Sequence, residues 1–450
     1  MERAFFLLDR GHAFNGVTIV SVRGPVTEDL LRAGLRRLAA RHPLLRVRVV
    51  QARPGDDRQL ILTDEGAGPL PLAIVPRKSD ATWQEVATNE LNLRFADDSD
   101  HLVRFVWVAG RTTSEILLVN HHVLLDALSC AFALRDLLTD MALLWRGDTP
   151  PPVDSMALRP ALPDLLPPAA RGLSRLGHMH AFFYKHILGG LFRGTRKMPI
   201  EQPAPAQERR TAIVHRALPP AMTGRLAALA RGQGTTVHAS LCASLLLSAA
   251  DVAFAAERAA GQALPLGCWS AVSLRGDLVP TLGDELGLYI SQVTTFHRVP
   301  PSGESDGAAL WALAREVKDQ LGRTLRWGEQ FLTLPMMGMF IPYGKNPGPR
   351  FVRRFDGASP ATLGVTNISR LPLPSTYGPF VIENVQIVVS PSVVSNLLAA
   401  VATWGDTLNL NIVHVEPLVS HARAEAILDG ALRYLDAACA SSERDAMRAG

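Results

Sequence analysis

The most informative part of the sequence is Asn120-His121-His122-Val123-Leu124-Leu125-Asp126-Ala127-Leu128-Ser129. It follows the apolar run from Ile116 to Val119 and precedes a long apolar-periodic segment, so His122 is expected where a strand ends and a helix begins. Catalytic side chains are often placed at such points. A neutral imidazole can take a proton from an alcohol or amine, and a carboxylate four residues later can fix the geometry around it. The stretch therefore predicts a general base at His122 supported by Asp126, although an HxxxD pattern also arises by chance.

The residues His121-His122-x-x-x-Asp126 resemble the HHxxxDG signature of the condensation-domain and chloramphenicol acetyltransferase-like superfamily. That superfamily includes peptide-synthetase condensation domains and stand-alone polyketide-associated, wax-ester and alcohol acyltransferases. The resemblance extends over nearly the whole chain and implies an α/β fold with two chloramphenicol acetyltransferase-like lobes facing each other across a central tunnel. Ala127 stands where the family usually has glycine. Its methyl group would strain the turn only if the backbone there needs a positive φ.

The resemblance also implies an activity. An acyl group would pass from a pantetheine thioester, either acyl-coenzyme A or an acyl carrier protein, to an acceptor alcohol or amine, with His122 as the base and no covalent acyl-enzyme. His121 would be structural. No permanently bound cofactor is expected, and because the chain carries no adenylation or carrier segment, the donor would come from outside. Ester formation is the first choice. The alternatives are an amide-forming condensation enzyme and a docking module that has lost turnover.

Length and composition limit the class of protein. The chain has 450 residues, 47% of them hydrophobic and 20% charged, which is typical of a globular protein with two lobes. No uninterrupted apolar run reaches the roughly 18 residues that a spanning helix needs, and the start lacks a signal-peptide core. A cytoplasmic monomer is therefore expected. The four cysteines lie far apart in the sequence without metal-ligand spacing, so neither a disulfide framework nor a metal site is predicted.

Proline-rich sequence divides the chain. We predict an N-terminal lobe over 1–150, a linker with a basic helix over 151–207 and a C-terminal lobe over 208–450. The segment 171–197 has six Lys/Arg and no acidic residue; with +4 for the whole chain, its +6 leaves −2 for the rest. Nucleic acid is therefore not an expected partner. The segment is a candidate for peripheral membrane contact, for an acidic carrier protein or coenzyme A phosphates, or for a helix whose charges face solvent.

Several residues of the second half resemble family positions. Arg275, after the strand predicted from Trp269 to Leu274, resembles a family arginine that can pair with the motif aspartate, so it is proposed as the partner of Asp126; the alternative is a solvent-exposed arginine in a turn. In that case Asp126 is ionised and structural. The residues Thr366, Asn367 and Ser369 lie in a segment that resembles the family's SNxG strand. Each is a candidate hydrogen-bond donor to a thioester oxyanion, which can contribute ~3 kcal/mol to the transition state.

Two further histidines are assigned to structure. His42 lies between a helix predicted to end before Pro43 and a half-buried strand predicted from the alternation of Leu45, Val47 and Val49. It is expected to cap carbonyls of that helix. His238 lies in the first turn of an apolar helix and is expected to pack or cap there. The sequence has no GxxxxGKS or HExxH motif, so a phosphate-loop enzyme and a zinc protease of that type are not indicated.

Overall fold

The computed structural model describes residues 6, 9, 11–53, 56–64, 67–147, 150–171, 179–180, 182, 185, 194–301, 306–332, 361–391 and 395–449. Two six-stranded sheets, each carrying its own hydrophobic core, form the body of the molecule. This arrangement agrees with the predicted two-lobed α/β fold class.

The first sheet is built mainly from the amino-terminal third of the chain. Its strands are β1 (Asn15–Arg23), β4 (Leu72–Pro76), β5 (Val103–Ala109), β6 (Thr113–His121), β11 (Thr376–Tyr377) and β12 (Phe380–Val389). They lie in the order β11-β12-β1-β6-β5-β4, with β1 and β6 antiparallel along their whole length. A separate hairpin joins β2 (Arg48–Arg53) to β3 (Asp56–Thr63).

Three helices accompany this sheet: α1 (Glu28–Arg41), α2 (Thr82–Asn92) and α3 (Ala127–Trp145). The Thr27 hydroxyl caps α1 by accepting from the Leu30 N–H. Helix α1 packs on α3, and Gly34 allows the close approach because a Cβ there would lie 2.9 Å from Leu137 Cδ1.

One strand prediction was wrong at its start. The alternation at Leu45 and Val47 predicted a strand, but Pro43–Arg46 forms a 3₁₀ turn and β2 begins only at Arg48. Proline favours the first position of a helical turn because its φ is already helical, and the Leu45 N–H completes the turn by donating to the His42 carbonyl. Local turn geometry therefore prevailed over the period-two pattern.

The second sheet comes from the carboxy-terminal half. Its strands are β7 (Arg210–Leu218), β8 (Leu264–Ser273), β9 (Ile290–Val299), β10 (Leu363–Arg370), β13 (Leu397–Trp404) and β14 (Thr407–Glu416), in the order β7-β14-β13-β10-β8-β9. The associated helices are α4 (Leu162–Leu165), α5 (Pro220–Gly232), α6 (Val237–Ala253), α7 (Ala255–Ala259), α8 (Asp306–Arg326) and α9 (His421–Ala449). Helix α6 packs against both α8 and α9.

The chain crosses between the sheets near its carboxyl end. Strand β12 pairs antiparallel with β1, from Gly16 opposite Val389 to Arg23 opposite Val381. The predicted C-terminal lobe, 208–450, therefore supplies two strands of the first sheet. The boundary proposed at residue 207 stays a prediction.

Buried asparagines join the two sheets. The Asn409 amide donates to the Val385 carbonyl at 3.1 Å, and the Asn411 amide donates to the Ile387 carbonyl at 3.1 Å. Both side chains come from β14 and both carbonyls from β12, and neither asparagine is exposed. Hydrogen bonds to backbone groups thus hold β12 between its own sheet and the second one.

Most of the predicted basic helix, 171–197, lies outside the described residues. Lys185 is described, and its Nζ lies 2.6 Å from Glu329 Oε2, a carboxylate whose side chain is 1% exposed. At this lysine the positive charge is paired inside the protein. The membrane contact proposed for the segment stays a prediction. Within the described part of the chain, no single helix is long and apolar enough to cross a bilayer, and only α5 and α6 pass that test as a pair bent by 99°.

Candidate active site

His122 lies in the turn between β6 and α3, where the sequence predicted it. Its backbone N–H donates to the Phe14 carbonyl at 2.8 Å, and its ring packs edge-on against the Phe14 ring at 5.1 Å. Nδ1 lies 3.2 Å from the Leu125 carbonyl oxygen. A carbonyl only accepts, so Nδ1 carries the proton and the Nε2 lone pair is left available. Nε2 has no hydrogen-bond partner among the described residues.

The Leu125 carbonyl is itself held in place. Asn120, which is buried, donates from Nδ2 to the carbonyls of both His121 and Leu125. The β1 strand makes room for this amide at Gly16, where a Cβ would lie 3.0 Å from Asn120 Oδ1. Asn120 thereby fixes the group that orients the His122 ring, a role that the sequence analysis missed.

His121 faces the opposite direction, into the protein. Its Nδ1 accepts from the Val123 N–H at 3.1 Å, and its ring stacks on Phe6. Nε2 lies 3.7 Å from Asp9 Oδ1, beyond hydrogen-bond distance. Asp9 also accepts from Arg94 Nε. These contacts agree with the structural role expected for His121, because its imidazole holds the backbone of the turn at Val123 and packs on Phe6.

Burial sets the protonation state of both imidazoles. Desolvation lowers the pKa of His122 below its usual 6.5. Burial lowers the pKa of His121 to about 4, against a smaller opposing effect of the Asp9 carboxylate. Both rings are therefore neutral near pH 7, which is the form that a general base at His122 requires.

Asp126 is the N-cap of α3 and connects that helix to the second lobe. Its Oδ1 accepts from the Ser129 N–H at 2.7 Å, and its Oδ2 accepts from the Tyr289 N–H at 2.9 Å. Its own N–H donates to the Gly287 carbonyl at 3.0 Å. The carboxylate is thus engaged on both oxygens and fixes the loop before β9 against the motif.

Ala127 fits this turn without strain. It is the first residue of α3, and among the described residues Ser369 is the only non-glycine with a positive φ. The added methyl group packs on the first hydrophobic core. The departure from the glycine of the family signature therefore does not disturb the position of His122.

Arg275 makes the contact expected from the sequence. Its Nη2 lies 3.3 Å from Asp126 Oδ1 and donates to Ser129 Oγ at 2.6 Å. Its Nη1 donates to the carbonyls of Gly283 and Glu285, and the side chain is buried. Arg275 therefore ties the loop before β9 to the first turn of α3.

Ser129 completes this connection, and the sequence analysis missed it. Its hydroxyl donates to the Gly287 carbonyl at 2.7 Å and accepts from the Gly287 N–H at 3.0 Å and from Arg275. A serine in the first turn of a helix gives no special signal, because its partners lie more than 140 residues away. We refer to Asp126, Ser129, Arg275 and Gly287 as the cross-lobe latch.

The three candidate oxyanion donors lie at the carboxyl end of β10. Thr366 and Asn367 are half-buried, and Ser369 is exposed with φ near 60°. Asn367 Oδ1 accepts from the Ser369 N–H at 2.8 Å, which leaves the Asn367 NH₂ group as a donor. No hydrogen bond connects these three residues to the motif turn within the described chain, so their role in a reaction stays a prediction.

A cavity of about 420 Å³ lies beside the motif turn. Its lining includes Val123 and Leu124 of the turn, the segment 285–289 and the segment 156–162. His122 is not among the lining residues. The cavity therefore adjoins the turn that carries the imidazole and does not contain it.

The other two histidines have structural partners. His42 Nε2 lies 2.9 Å from Asp136 Oδ2 on α3, and its backbone N–H donates to Leu38. His42 thus caps a carbonyl in the last turn of α1 as predicted, through its backbone N–H, while its ring contacts a carboxylate on the neighbouring helix. His238 Nε2 contacts Ser270 Oγ at 2.9 Å inside the second lobe, so it packs as expected.

Comparison with known proteins identifies the class. Residues 5–155 match the condensation-domain family, and residues 207–419 match the family described as phthiocerol/phthiodiolone dimycocerosyl transferase C-terminus. The chain belongs to the condensation-domain and chloramphenicol acetyltransferase-like superfamily. This membership supports acyl transfer in general. No curated protein matched the chain in a sequence search.

Solved structures share the fold along the whole chain. The TRI3 trichothecene 15-O-acetyltransferase of Fusarium sporotrichioides superposes with a TM-score of 0.74 at 13% identity, covering 97% of this chain and 94% of that one. Polyketide synthase associated protein 5 of Mycobacterium tuberculosis gives 0.60 at 17% identity, with 94% of each chain covered. The epimerization domain of tyrocidine synthetase B gives 0.66 at 15% identity, covering 97% and 94%. The predicted two-lobed fold is confirmed.

Proposed function

We propose that this chain transfers an acyl group from a pantetheine thioester to an acceptor hydroxyl and forms an ester. The observation that carries the proposal is the state of His122. Its Nδ1 is held by the Leu125 carbonyl, its pKa is lowered by burial, and its Nε2 lone pair is available. Such an imidazole is suited to remove a proton from an alcohol at neutral pH.

The reaction needs one base and no covalent enzyme intermediate. His122 Nε2 takes the hydroxyl proton as the acceptor oxygen attacks the thioester carbonyl carbon, forming a C–O bond and an oxyanion. The oxyanion then re-forms the carbonyl, the C–S bond breaks, and the departing sulfur receives the proton from Nε2. The thiol and the ester leave. Holding both substrates beside one imidazole supplies the entropic part of the catalysis.

Asp126 takes no proton in this scheme. Both of its oxygens accept hydrogen bonds from backbone N–H groups, and Arg275 lies beside it. A carboxylate whose oxygens are satisfied in this way has a structural role. Its contribution is to place the turn of His122 against the second lobe, where an acceptor or donor would be held.

The oxyanion requires a donor, and the Asn367 NH₂ group is the candidate we favour over Thr366 and Ser369. Its carbonyl oxygen is already committed to the Ser369 N–H, which fixes the amide orientation with NH₂ as the free end. Removing one oxyanion donor costs about 10² to 10³ in kcat in other acyl-transfer enzymes. Asn367→Ala is expected to lower kcat by a comparable factor.

The experiment measures free thiol released from short- to long-chain acyl-coenzyme A donors, with a pool of alcohols and amines as acceptors. Wild type should release thiol with alcohols, and His122→Ala should lose at least about 10²-fold in rate, the usual contribution of a general base. Thr139→Ala, on the exposed face of α3, serves as the matched control and should keep the wild-type rate. Thermal melting of each variant checks the fold.

Three outcomes would overturn parts of the proposal. Thiol release that His122→Ala leaves unchanged would remove His122 from the mechanism. Turnover only with amines would make the chain an amide-forming enzyme. If wild type releases no thiol from coenzyme A donors, the assay is repeated with acyl-loaded carrier protein. No thiol release from either donor type would contradict catalysis and favour a docking module.

A further inference from the structure

Three side chains that the proposed reaction does not use converge where β14 passes into α9. They are His414, Glu416 and His421, and their ligand atoms all lie within 4.8 Å of one another. We propose that they form a binding site for a divalent transition-metal ion of the zinc type. The site is independent of the proposed acyl transfer.

The local fold explains the convergence. His414 and Glu416 are two residues apart on β14, so their side chains emerge on the same face of the strand. The chain then turns through Pro417, and His421 is the first residue of α9. Tetrahedral ligands at 2.0–2.2 Å from an ion lie roughly 3.3 to 3.6 Å apart, so three side chains whose ligand atoms lie within 4.8 Å of one another would draw closer together around a metal.

The hydrogen bonding of the His414 ring suits a metal ligand. Its Nδ1 lies 2.9 Å from the Val419 carbonyl oxygen, which places the proton on Nδ1 and the lone pair on Nε2. A backbone carbonyl on the second ring nitrogen is the arrangement that fixes metal-binding histidines. Nε2 is fully buried and has no hydrogen-bond partner among the residues that the structure describes. A buried polar atom without a partner calls for an explanation, and a metal ion supplies one.

The surrounding charges suit a cation. Glu416 supplies one negative charge at the site, and the Glu201 carboxylate accepts from the backbone N–H of Ser420, the residue before His421. Glu201 is engaged by the Ser420 hydroxyl at 3.1 Å and by Arg423 at 3.4 Å, so it supports the site from its edge. Two imidazole nitrogens with one carboxylate favour zinc over calcium or magnesium, which prefer oxygen ligands.

The position of the site indicates a structural role. The adjoining turn also receives the segment before β7, because the Glu201 N–H donates to the Leu418 carbonyl and Arg423 donates to the Pro199 carbonyl. A bound ion would therefore fasten the end of β14, the start of α9 and this incoming segment at one point. We expect it to stabilise the second lobe.

The test is zinc titration of protein stripped with a chelator, followed by competition with a zinc-sensitive dye and by thermal melting. Wild type should bind one equivalent, and its Tm should rise with zinc because only the folded state holds all three ligands together. His421→Ala and Glu416→Gln should each lower the affinity by at least about tenfold, since loss of a mere supporting contact already costs 10- to 100-fold. His180→Ala, another exposed histidine, is the matched control and should behave as wild type.

Two results would overturn the site. One is the absence of stoichiometric zinc uptake by the stripped wild-type protein. The other is uptake of equal affinity in wild type, His421→Ala and Glu416→Gln, which would assign the zinc to other surface groups. His421 is exposed, so its substitution leaves the core intact, and circular dichroism of each variant confirms the fold.

Discussion

At the scale of single residues, the chemistry of His122 depends on one hydrogen bond and on burial. The Leu125 carbonyl sets the tautomer, and desolvation lowers the pKa of the ring. Asn120 fixes that carbonyl from the other side. The availability of the His122 Nε2 lone pair thus depends on neighbouring groups that take no part in the proton transfer.

The pH dependence of the reaction follows from the lowered pKa of His122. The base works only when neutral, so kcat/KM should fall on the acid side as His122 becomes protonated. Because burial lowers this pKa, the midpoint of the fall should lie below 6.5. The measurement is kcat/KM against pH for an ester-forming substrate pair. A midpoint above 6.5 would contradict the assigned environment of the ring.

We expect the protonation of His121 to change the free energy of unfolding with pH, without a part in the transfer reaction itself. Its pKa is about 4 when folded and 6.5 when exposed, so the unfolded chain binds the extra proton between these values. The stability that the neutral ring contributes is complete above pH 6.5 and is lost as pH falls towards 4, with a slope of up to about 1.4 kcal/mol per pH unit. Urea unfolding of wild type and His121→Gln across this range should show a shallower slope for the variant. Equal slopes would show that His121 titrates normally.

Sequence alone could predict His122 and Asp126 because their spacing is local. It could not predict Asn120 or Ser129, since each acts through tertiary contacts: Asn120 fits against Gly16 on a neighbouring strand, and Ser129 meets Gly287 across the lobes. The cluster of His414, Glu416 and His421 was not singled out from the sequence either. Their spacing matches no familiar motif, and only the turn through Pro417 brings them together.

At the scale of elements, the cross-lobe latch is the feature that positions α3. The existence of helix α3 was predictable, because its apolar period is long. The loop before β9 could not be placed from sequence, since its position depends on Arg275 reaching the carbonyls of Gly283 and Glu285. Elements with a strong period were thus predictable, and their connections were not.

Loss of Arg275 should destabilise the protein strongly. Arg275→Met leaves the Asp126 carboxylate buried without its charged partner, and breaking such a pair typically costs about 3 to 5 kcal/mol. The double variant with Asp126→Asn should lose less than the two single losses combined. The measurement is a double-mutant cycle by chemical unfolding.

The matched control for this cycle is Arg23→Met. Its partner Glu383 is also an acidic residue, but the pair is exposed, so the loss should stay within about 1 kcal/mol. Additive losses for Arg275→Met and Asp126→Asn would show that the two residues are not coupled.

At the scale of the whole molecule, the two sheets act as one unit because asparagines of β14 bind carbonyls of β12. Asn409→Ala and Asn411→Ala each leave a buried carbonyl without this donor, at an expected cost of about 1 to 3 kcal/mol. Urea unfolding should show the loss in both variants. Asn396→Ala, which removes a half-buried amide at the other end of the second sheet, should cost less. Equal losses of unfolding free energy in all three variants would show that the hydrogen bonds to β12 make no special contribution.

The path of β12 has a consequence for how the protein is made. Four strands and three helices of the first sheet are synthesised long before residues 380–389, which form β12. Until β12 is made, the edge of β1 that pairs with it remains without a partner strand. The first lobe therefore cannot complete its sheet during synthesis before the second lobe has been made, unlike a chain whose domains fold one after another. A gene cut between the lobes should yield an amino-terminal product that aggregates, whereas co-expression with the remaining half should recover soluble protein.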